Sequence, residues 1–189
     1  MKKKVGLLGG TFNPPHIGHL VIAEQVLNQS GLDEIRFLPN HVPPHKEVDV
    51  SVTVDQRIRM LEGAIRGNPR FAIERIELER EGPSYTYDTI KALQERDPEV
   101  EYSFIIGGDM IEYLPKWSRI DELIDMVRFI GVNRPEYSHE TPYNVELVDV
   151  PDLKVSSSFI RKAVRDHRSI RYLVTDEVYR IIEEDGLYG

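Results

Sequence analysis

The sequence predicts an α/β fold: a doubly wound, mainly parallel sheet with helices on both faces. Three observations carry this. Short apolar runs alternate with segments of helical spacing along the whole chain, which is the pattern of a parallel sheet covered by its crossover helices. The first apolar run ends in a glycine pair and leads straight into a helix. No stretch rich in Pro, Gly or Ser divides the chain, so residues 1–189 read as one domain.

Val5-Gly6-Leu7-Leu8 reads as a buried first strand, and Leu20 to Asn28 as the helix after it. Glu34 to Leu38 is a second strand, followed by the Pro-rich loop Pro39-Asn40-His41-Val42-Pro43-Pro44-His45-Lys46. Thr53-Val54-Asp55-Gln56 has the spacing of a capping box. Ile58, Leu61 and Ile65 continue it as a helix, with Gly67 as the stop. Phe71 to Leu78 contains a strand, Tyr87 to Arg96 is a helix with Ile90 and Leu93 inward, and Tyr102 to Ile106 has the look of a central strand. Phe129 to Val132 is another strand, and Val145 to Val150 alternates in the way of a strand nearer an edge. Helices over Ser158 to Asp166 and Asp176 to Asp185 close the chain, the last stopped by Gly186.

Composition narrows the function. The 189 residues are 40% hydrophobic, enough for one core, and include no cysteine. Disulfides and thiolate metal sites are excluded, which fits a reducing cytoplasm. No run of 18 apolar residues and no signal-peptide pattern occur, so neither a membrane partner nor export is expected. A net charge of −8 argues against a broad nucleic-acid surface. Polyanionic substrates would then need local cations, and Lys46, Lys116, Arg134 and Arg161 lie in segments able to supply them.

The most informative stretch is Gly9-Gly10-Thr11-Phe12-Asn13-Pro14-Pro15-His16-Ile17-Gly18-His19. It sits at a strand-to-helix turn, and in an open parallel sheet such turns form the ligand edge. Gly9 and Gly10 let backbone approach a ligand, and the helix start offers N–H groups suited to phosphate. His16 and His19 are three apart and share a face of a helical first turn. There is no Gly-Lys-Ser/Thr, so this is not a P-loop, and the glycines lack the dinucleotide-fingerprint spacing. Val155-Ser156-Ser157-Ser158-Phe159-Ile160-Arg161 opens a second helix. Its serines are either plain caps or a second phosphate cradle, with Arg161 one turn in. Gly82 to Thr89 turns into a helix start, with Ser84 or Thr86 as the cap. Trp117, the sole tryptophan, follows Pro115-Lys116 in a polar loop. It is either core or a stacking surface for a flat ring.

The first motif resembles the signature of the nucleotidyltransferase superfamily with a His-x-Gly-His motif, shared with class I aminoacyl-tRNA synthetases. From Lys3 to Tyr188 the chain resembles the bacterial nicotinate-nucleotide adenylyltransferases within it. The Val155–Arg161 segment is similar to the family's Ile-Ser-Ser-Thr-x-x-Arg motif, with Val155 and Ser158 as conservative departures. The resemblance implies a Rossmann-like fold and transfer of AMP from ATP to nicotinate mononucleotide, giving nicotinate adenine dinucleotide and pyrophosphate. It implies His16, His19 and Arg161 as catalytic residues. Gly9, Gly10, Thr11, Phe12, Gly107, Asp109, Arg134, Ser156 and Ser157 would join them around ATP, with Arg134 packed on adenine. Asn40, His45 and Lys46 would meet the mononucleotide phosphate. Tyr85 and Thr86 would meet the pyridine carboxylate, Trp117 would stack on the ring, and Asp109 and Lys116 would complete that side. Mg²⁺ would accompany ATP, with no protein ligand identified, and a homo-oligomer is left open. A phosphopantetheine- or glycerol-phosphate-type transferase would share the first motif without needing Tyr85-Thr86 and Trp117. A synthetase fragment would need a Lys-Met-Ser-Lys-Ser-like loop, which the sequence lacks. A non-catalytic nucleotide sensor would keep the cradle and lose the histidines, and both are present.

Overall fold

A computed structural model describes residues 2–40, 52–80, 84–133 and 140–189. Six parallel strands form one sheet in the order β3-β2-β1-β4-β5-β6. These are β1 Lys3–Gly10, β2 Glu34–Pro39, β3 Phe71–Ile73, β4 Val100–Ile106, β5 Arg128–Asn133 and β6 Val145–Asp149. The helices are α1 Ile17–Gln29, α2 Val54–Ile65, α3 Thr86–Arg96, α4 Gly108–Tyr113, α5 Ile120–Met126, α6 Ser157–Arg165 and α7 Asp176–Glu184, with a 3-10 turn at Leu114–Lys116. This is the expected doubly wound, Rossmann-like arrangement. The strand order reverses between β1 and β4, which pair from Lys3 opposite Val100 to Leu8 opposite Ile105. That reversal opens a crevice beyond the strands' carboxyl ends, where ligands bind in such sheets.

Strand side chains alternate between two cores. Val5, Leu7, Tyr102, Phe104 and Ile106 pack with Ile90 and Leu93 of α3, Ile111 of α4, and Ile120 and Leu123 of α5. Leu8, Ile35, Phe37, Ile105 and Ile130 face the other way, onto Ala23, Val26 and Leu27 of α1 and Leu61 of α2. A third cluster joins Met60 and Ala64 of α2 to Ile160 of α6, to Val178, Ile181 and Ile182 of α7, and to Leu187 and Tyr188. Helix α2 therefore has two buried faces, one on the sheet and one on α6 and α7. The third cluster brings both the second helix start and the C-terminal Tyr188 to the ligand edge.

The capping box forms as its spacing predicts: Gln56 N donates to Thr53 Oγ1 at 3.2 Å and Thr53 N to Gln56 Oε1 at 3.0 Å. Strand β6 is an edge strand, as its alternation predicts. Only three residues of Phe71–Leu78 are strand. Glu74 N still bonds to Phe37 O at 2.9 Å, but the chain then turns, with Leu78 N reaching Arg75 O at 2.8 Å. Helices α4 and α5 have no counterpart in the sequence reading. At six and seven residues they are too short to show a helical period. Among the described residues, no helix is long and apolar enough to cross a membrane.

Candidate active site

The glycine-rich turn leaves β1 at Gly10 and reaches α1 through Thr11–His16. Phe12 takes a left-handed backbone (φ 50°), an uncommon conformation for a side-chain-bearing residue. Its ring pays back that strain in packing: it is 1% exposed and meets Phe37 edge-on at 5.7 Å and His19 at 5.0 Å. Phe12 can therefore meet a ligand only through its backbone. Gly9 is exposed and Gly10 half-buried at the open edge.

His16 is the N-cap of α1, and His19 lies one turn in. Their rings stack with centroids 3.8 Å apart, as the three-residue spacing predicts. The His16 backbone N–H donates to His19 Nδ1 at 3.2 Å. That bond makes Nδ1 the acceptor, so neutral His19 carries its proton on Nε2. Gly18 lies against both His16 and the second helix start: a Cβ there would stand 3.0 Å from His16 Nδ1 and 3.0 Å from a Val155 methyl. A side chain at 18 would push α6 away from the histidines.

Helix α6 is fastened to the same turn. Ser157 Oγ donates to the Pro14 carbonyl at 2.8 Å, and Arg161 Nη1 donates to the Asn13 carbonyl at 2.8 Å. Arg161 Nη2 also reaches Ser158 Oγ at 3.2 Å. Ser156 is the true cap, its Oγ accepting from Phe159 N at 3.1 Å. The three serines thus divide their work, and capping accounts for one of them. The sequence separates Arg161 from Asn13 by 148 residues, and the fold brings them into contact.

Two further tethers were not foreseen. Tyr188 donates its hydroxyl to Asn13 Oδ1 at 2.5 Å. Arg57 of α2, 4% exposed, donates Nη1 to the Thr11 carbonyl at 2.8 Å and Nη2 to the Asn40 carbonyl at 2.9 Å. The available signal was its helical spacing with Leu61 and Ala64, which puts a cation on the apolar face of α2. Asn40 begins the loop after β2 and is drawn to the glycine turn by its N–H, which bonds to Gly10 O at 3.1 Å. Its Oδ1 is buried and accepts no hydrogen bond from the described residues. His45 and Lys46 of that loop, and Arg134 after β5, lie outside the described residues.

On the β4 side, Gly107 caps α4 and Asp109 is exposed in its first turn. A Cβ on Gly107 would stand 2.7 Å from Asp109 Oδ1, so a side chain at 107 would require this carboxylate, which folds back over the turn, to move. Trp117, half-buried, stands edge-on to Phe104 at 5.8 Å and Phe129 at 5.9 Å. It is anchored in the core and keeps part of its surface outside it. Exposed Lys116 lies with Nζ 5.0 Å from the Tyr113 ring centre. Helix α3 starts at Thr86 with Tyr85 as N-cap, and among the described residues no side chain caps it. Ser84, offered by the sequence as a cap, instead hydrogen-bonds Glu77, which is buried and also accepts from Thr89 Oγ1 at 2.9 Å. Burial pushes the Glu77 carboxyl up, against those hydroxyl bonds. Tyr85 is exposed and Thr86 half-buried. Among the described residues, no group of three His, Cys, Asp or Glu could hold a metal ion.

The site thus has two phosphate-suited helix starts, α1 and α6, locked to one turn, and an uncapped third, α3, across the crevice. A family model described as cytidylyltransferase-like matches residues 7–163. A probable nicotinate-nucleotide adenylyltransferase of Geobacillus thermodenitrificans (strain NG80-2) is 57% identical over 186 residues, covering 98% of this chain and 86% of that protein. The nicotinate-nucleotide adenylyltransferase of Bacillus subtilis (strain 168) is 51% identical, covering 98% of both. The fold also matches that of a Plasmodium falciparum nicotinic acid mononucleotide adenylyltransferase complexed with NaAD, with a TM-score of 0.81 at 21% identity, covering 98% of this chain and 97% of that one. By these similarities, the chain belongs to the nicotinate-nucleotide adenylyltransferase family, within the cytidylyltransferase-like proteins.

Proposed function

We propose that this enzyme transfers AMP from ATP to nicotinate mononucleotide, releasing pyrophosphate and forming nicotinate adenine dinucleotide. The observation that carries the chemistry is the stacked His16–His19 pair on a turn that α6 grips through Ser157 and Arg161. The nucleophile is an oxygen of the mononucleotide phosphate, already an anion. It attacks the α-phosphorus of ATP; a new P–O bond forms, the α–β bridge breaks, and its electrons leave with pyrophosphate. No general base and no covalent enzyme intermediate are needed. The protein's task is to hold two repelling polyanions in line and to stabilise charge that develops on the phosphates.

Neutral His19 donates through Nε2–H, and His16 supplies the second imidazole. Arg161, with two of its N–H groups fixed by Asn13 and Ser158, turns the rest of its fork to the β- and γ-phosphates. Gly9, Gly10, Thr11 and Phe12 meet ATP through backbone, with Gly107, Asp109 and the start of α6 at Ser156 and Ser157 around it. Asn40, His45 and Lys46 hold the mononucleotide phosphate, and Arg134 stacks on adenine. Tyr85, Thr86, Lys116 and Trp117 form the pyridine side. Mg²⁺ would accompany the triphosphate, and no residue of the protein is named as its ligand. When bound it neutralises phosphate charge.

The test is pyrophosphate release from ATP and Mg²⁺ by the purified enzyme with a panel of phosphorylated acceptors. Turnover with nicotinate mononucleotide well above phosphopantetheine and glycerol phosphate is expected. A preference for either of those would overturn the assignment.

A further inference from the structure

A buried cation without a carboxylate partner is costly unless its N–H groups are well used. Among the described residues, Arg57 is such a cation. It is 4% exposed, and its described hydrogen bonds go to two backbone carbonyls and to no carboxylate. Burial pulls its pKa down, and the Tyr188 phenol works against that.

The two carbonyls belong to different loops. Thr11 is the first residue beyond β1 and Asn40 the first beyond β2. These strands are neighbours, in register through Gly10 opposite Pro39. One planar guanidinium therefore spans two adjacent loops at the ligand edge, at 2.8 and 2.9 Å. A rigid fork satisfies two acceptors only at one separation and orientation of those acceptors. It also sets the peptide that follows: with the Thr11 carbonyl turned to α2, the trans peptide aims the Phe12 N–H away from α2.

We propose that Arg57 is a positioning residue for adenylyl transfer, its guanidinium holding Thr11, just beyond β1, and Asn40, just beyond β2, in the one mutual geometry that brings the two substrates into line. This rests on the proposed reaction, in which ATP meets Thr11 and its neighbours and the mononucleotide phosphate meets Asn40. In-line attack needs the reacting atoms about 3–3.5 Å apart, and a misplacement of about 1 Å costs on the order of 100-fold in rate. The bridge acts on the relation between substrates, so its loss falls on kcat before it falls on the affinity of either substrate alone. Its positive charge adds a second effect, favouring anions at this edge.

Two variants separate these effects. R57K keeps the charge and the apolar stem but replaces the planar fork by a compact ammonium. R57M removes the charge as well. For R57K, kcat should fall on the order of 100-fold, while the Kd of each substrate, measured alone, changes little. R57M should lose affinity for both substrates in addition. Hydrogen exchange of R57K without ligands should show residues 9–16 and 38–40 losing protection together. An R57K enzyme with near-native kcat overturns the proposal. So does a variant that fails to fold, or that loses only thermal stability, since Arg57 is then a stability residue. Loosening of one loop alone also overturns it. If the wild-type enzyme itself releases no pyrophosphate with ATP and nicotinate mononucleotide, the proposed reaction fails, and the exchange experiment still decides the bridge.

Discussion

His16 and His19 have the same chemistry and different surroundings. His16 is 8% exposed at the start of α1, while His19 is oriented by the His16 N–H and by the Phe12 ring. Replacing either by Ala should lower kcat on the order of 100-fold or more, the loss expected for a positioned donor to transition-state charge. Thermal unfolding should move far less, and a mutant with near-native turnover would remove histidine from the mechanism. Trp117 has two roles to lose. Trp117→Ala should weaken nicotinate mononucleotide by about 1–3 kcal/mol, by analogy with base–aromatic stacking, and should also lower Tm, because the ring packs on Phe104 and Phe129. Titration calorimetry beside thermal melts separates the two; a lowered Tm with unchanged affinity makes Trp117 a core residue only. At this scale the sequence was most readable where residues cluster, as in Gly9–His19. It was least readable for Arg57 and Tyr188, whose partners are backbone carbonyls and an amide brought close only by the third core cluster. No spacing rule encodes a contact between residues 13 and 188.

Among the elements, the helix starts are where the proposed specificity lies. Helix α3 begins at Thr86 with no side-chain cap among the described residues; its N-cap is Tyr85, and Ser84 hydrogen-bonds Glu77. Its first-turn N–H groups are donors seeking an acceptor. A pyridine carboxylate accepts at both oxygens, whereas a carboxamide would aim its own NH₂ at one of those donors. Hydrogen bonds to a charged group are worth about 1.5–3 kcal/mol, so kcat/KM should favour nicotinate mononucleotide over nicotinamide mononucleotide by about tenfold at least. Equal efficiencies, measured side by side, would make the enzyme dual-specific and remove this role from α3. The long elements were legible because each shows its period: the capping box and inward residues of α2, Ile90 and Leu93 of α3, and the alternation of β6. Helices α4 and α5 were not. Their register comes from packing Ile111, Ile120 and Leu123 onto the sheet, a tertiary cause that short segments do not announce.

Across the whole molecule, ion pairs are spread over several elements, and one cluster of them lies apart from the ligand edge. The ligand edge concentrates donors within a chain of net charge −8. A separate network ties β2, β3, α3 and β4 together: Arg36 bonds Glu34 at 2.6 Å and Glu74 at 3.2 Å, Arg96 bonds Glu74 at 2.6 Å and Asp97 at 2.8 Å, and Tyr102 donates to Asp97 at 2.9 Å. Burial alone would push the Glu74 carboxyl up, but the Arg96 bonds and the Arg36 charge outweigh it, and the net shift is down from its ordinary 4.5. Glu34 is lowered against its own burial by Arg36 and Lys3, and Asp97 is lowered chiefly by Arg96. A carboxyl depressed in the folded state stabilises the fold fully above its ordinary pKa, and that stability is lost as pH falls through the folded value. Glu77 runs the other way. Its raised carboxyl contributes below its ordinary pKa and loses that contribution as pH rises through its folded value. Among the described residues the network's Glu34, Glu74 and Asp97, with the exposed Glu122, Asp166 and Glu177, are all lowered and Glu77 is raised, so Tm should drop as pH falls below the ordinary carboxylate range. Glu74→Gln should flatten that drop and reduce stability at neutral pH by about 2 kcal/mol, the scale of a charged hydrogen bond. Melts from pH 3 to 8 check this. A variant as steep in acid as the wild type would mean that the network does not set the acid limit. Because these groups lie on the α3 side of the sheet and the histidines on the α1 side, turnover per folded Glu74→Gln molecule should stay near wild type. A parallel loss of kcat would show that the two regions are coupled through β1 and β4.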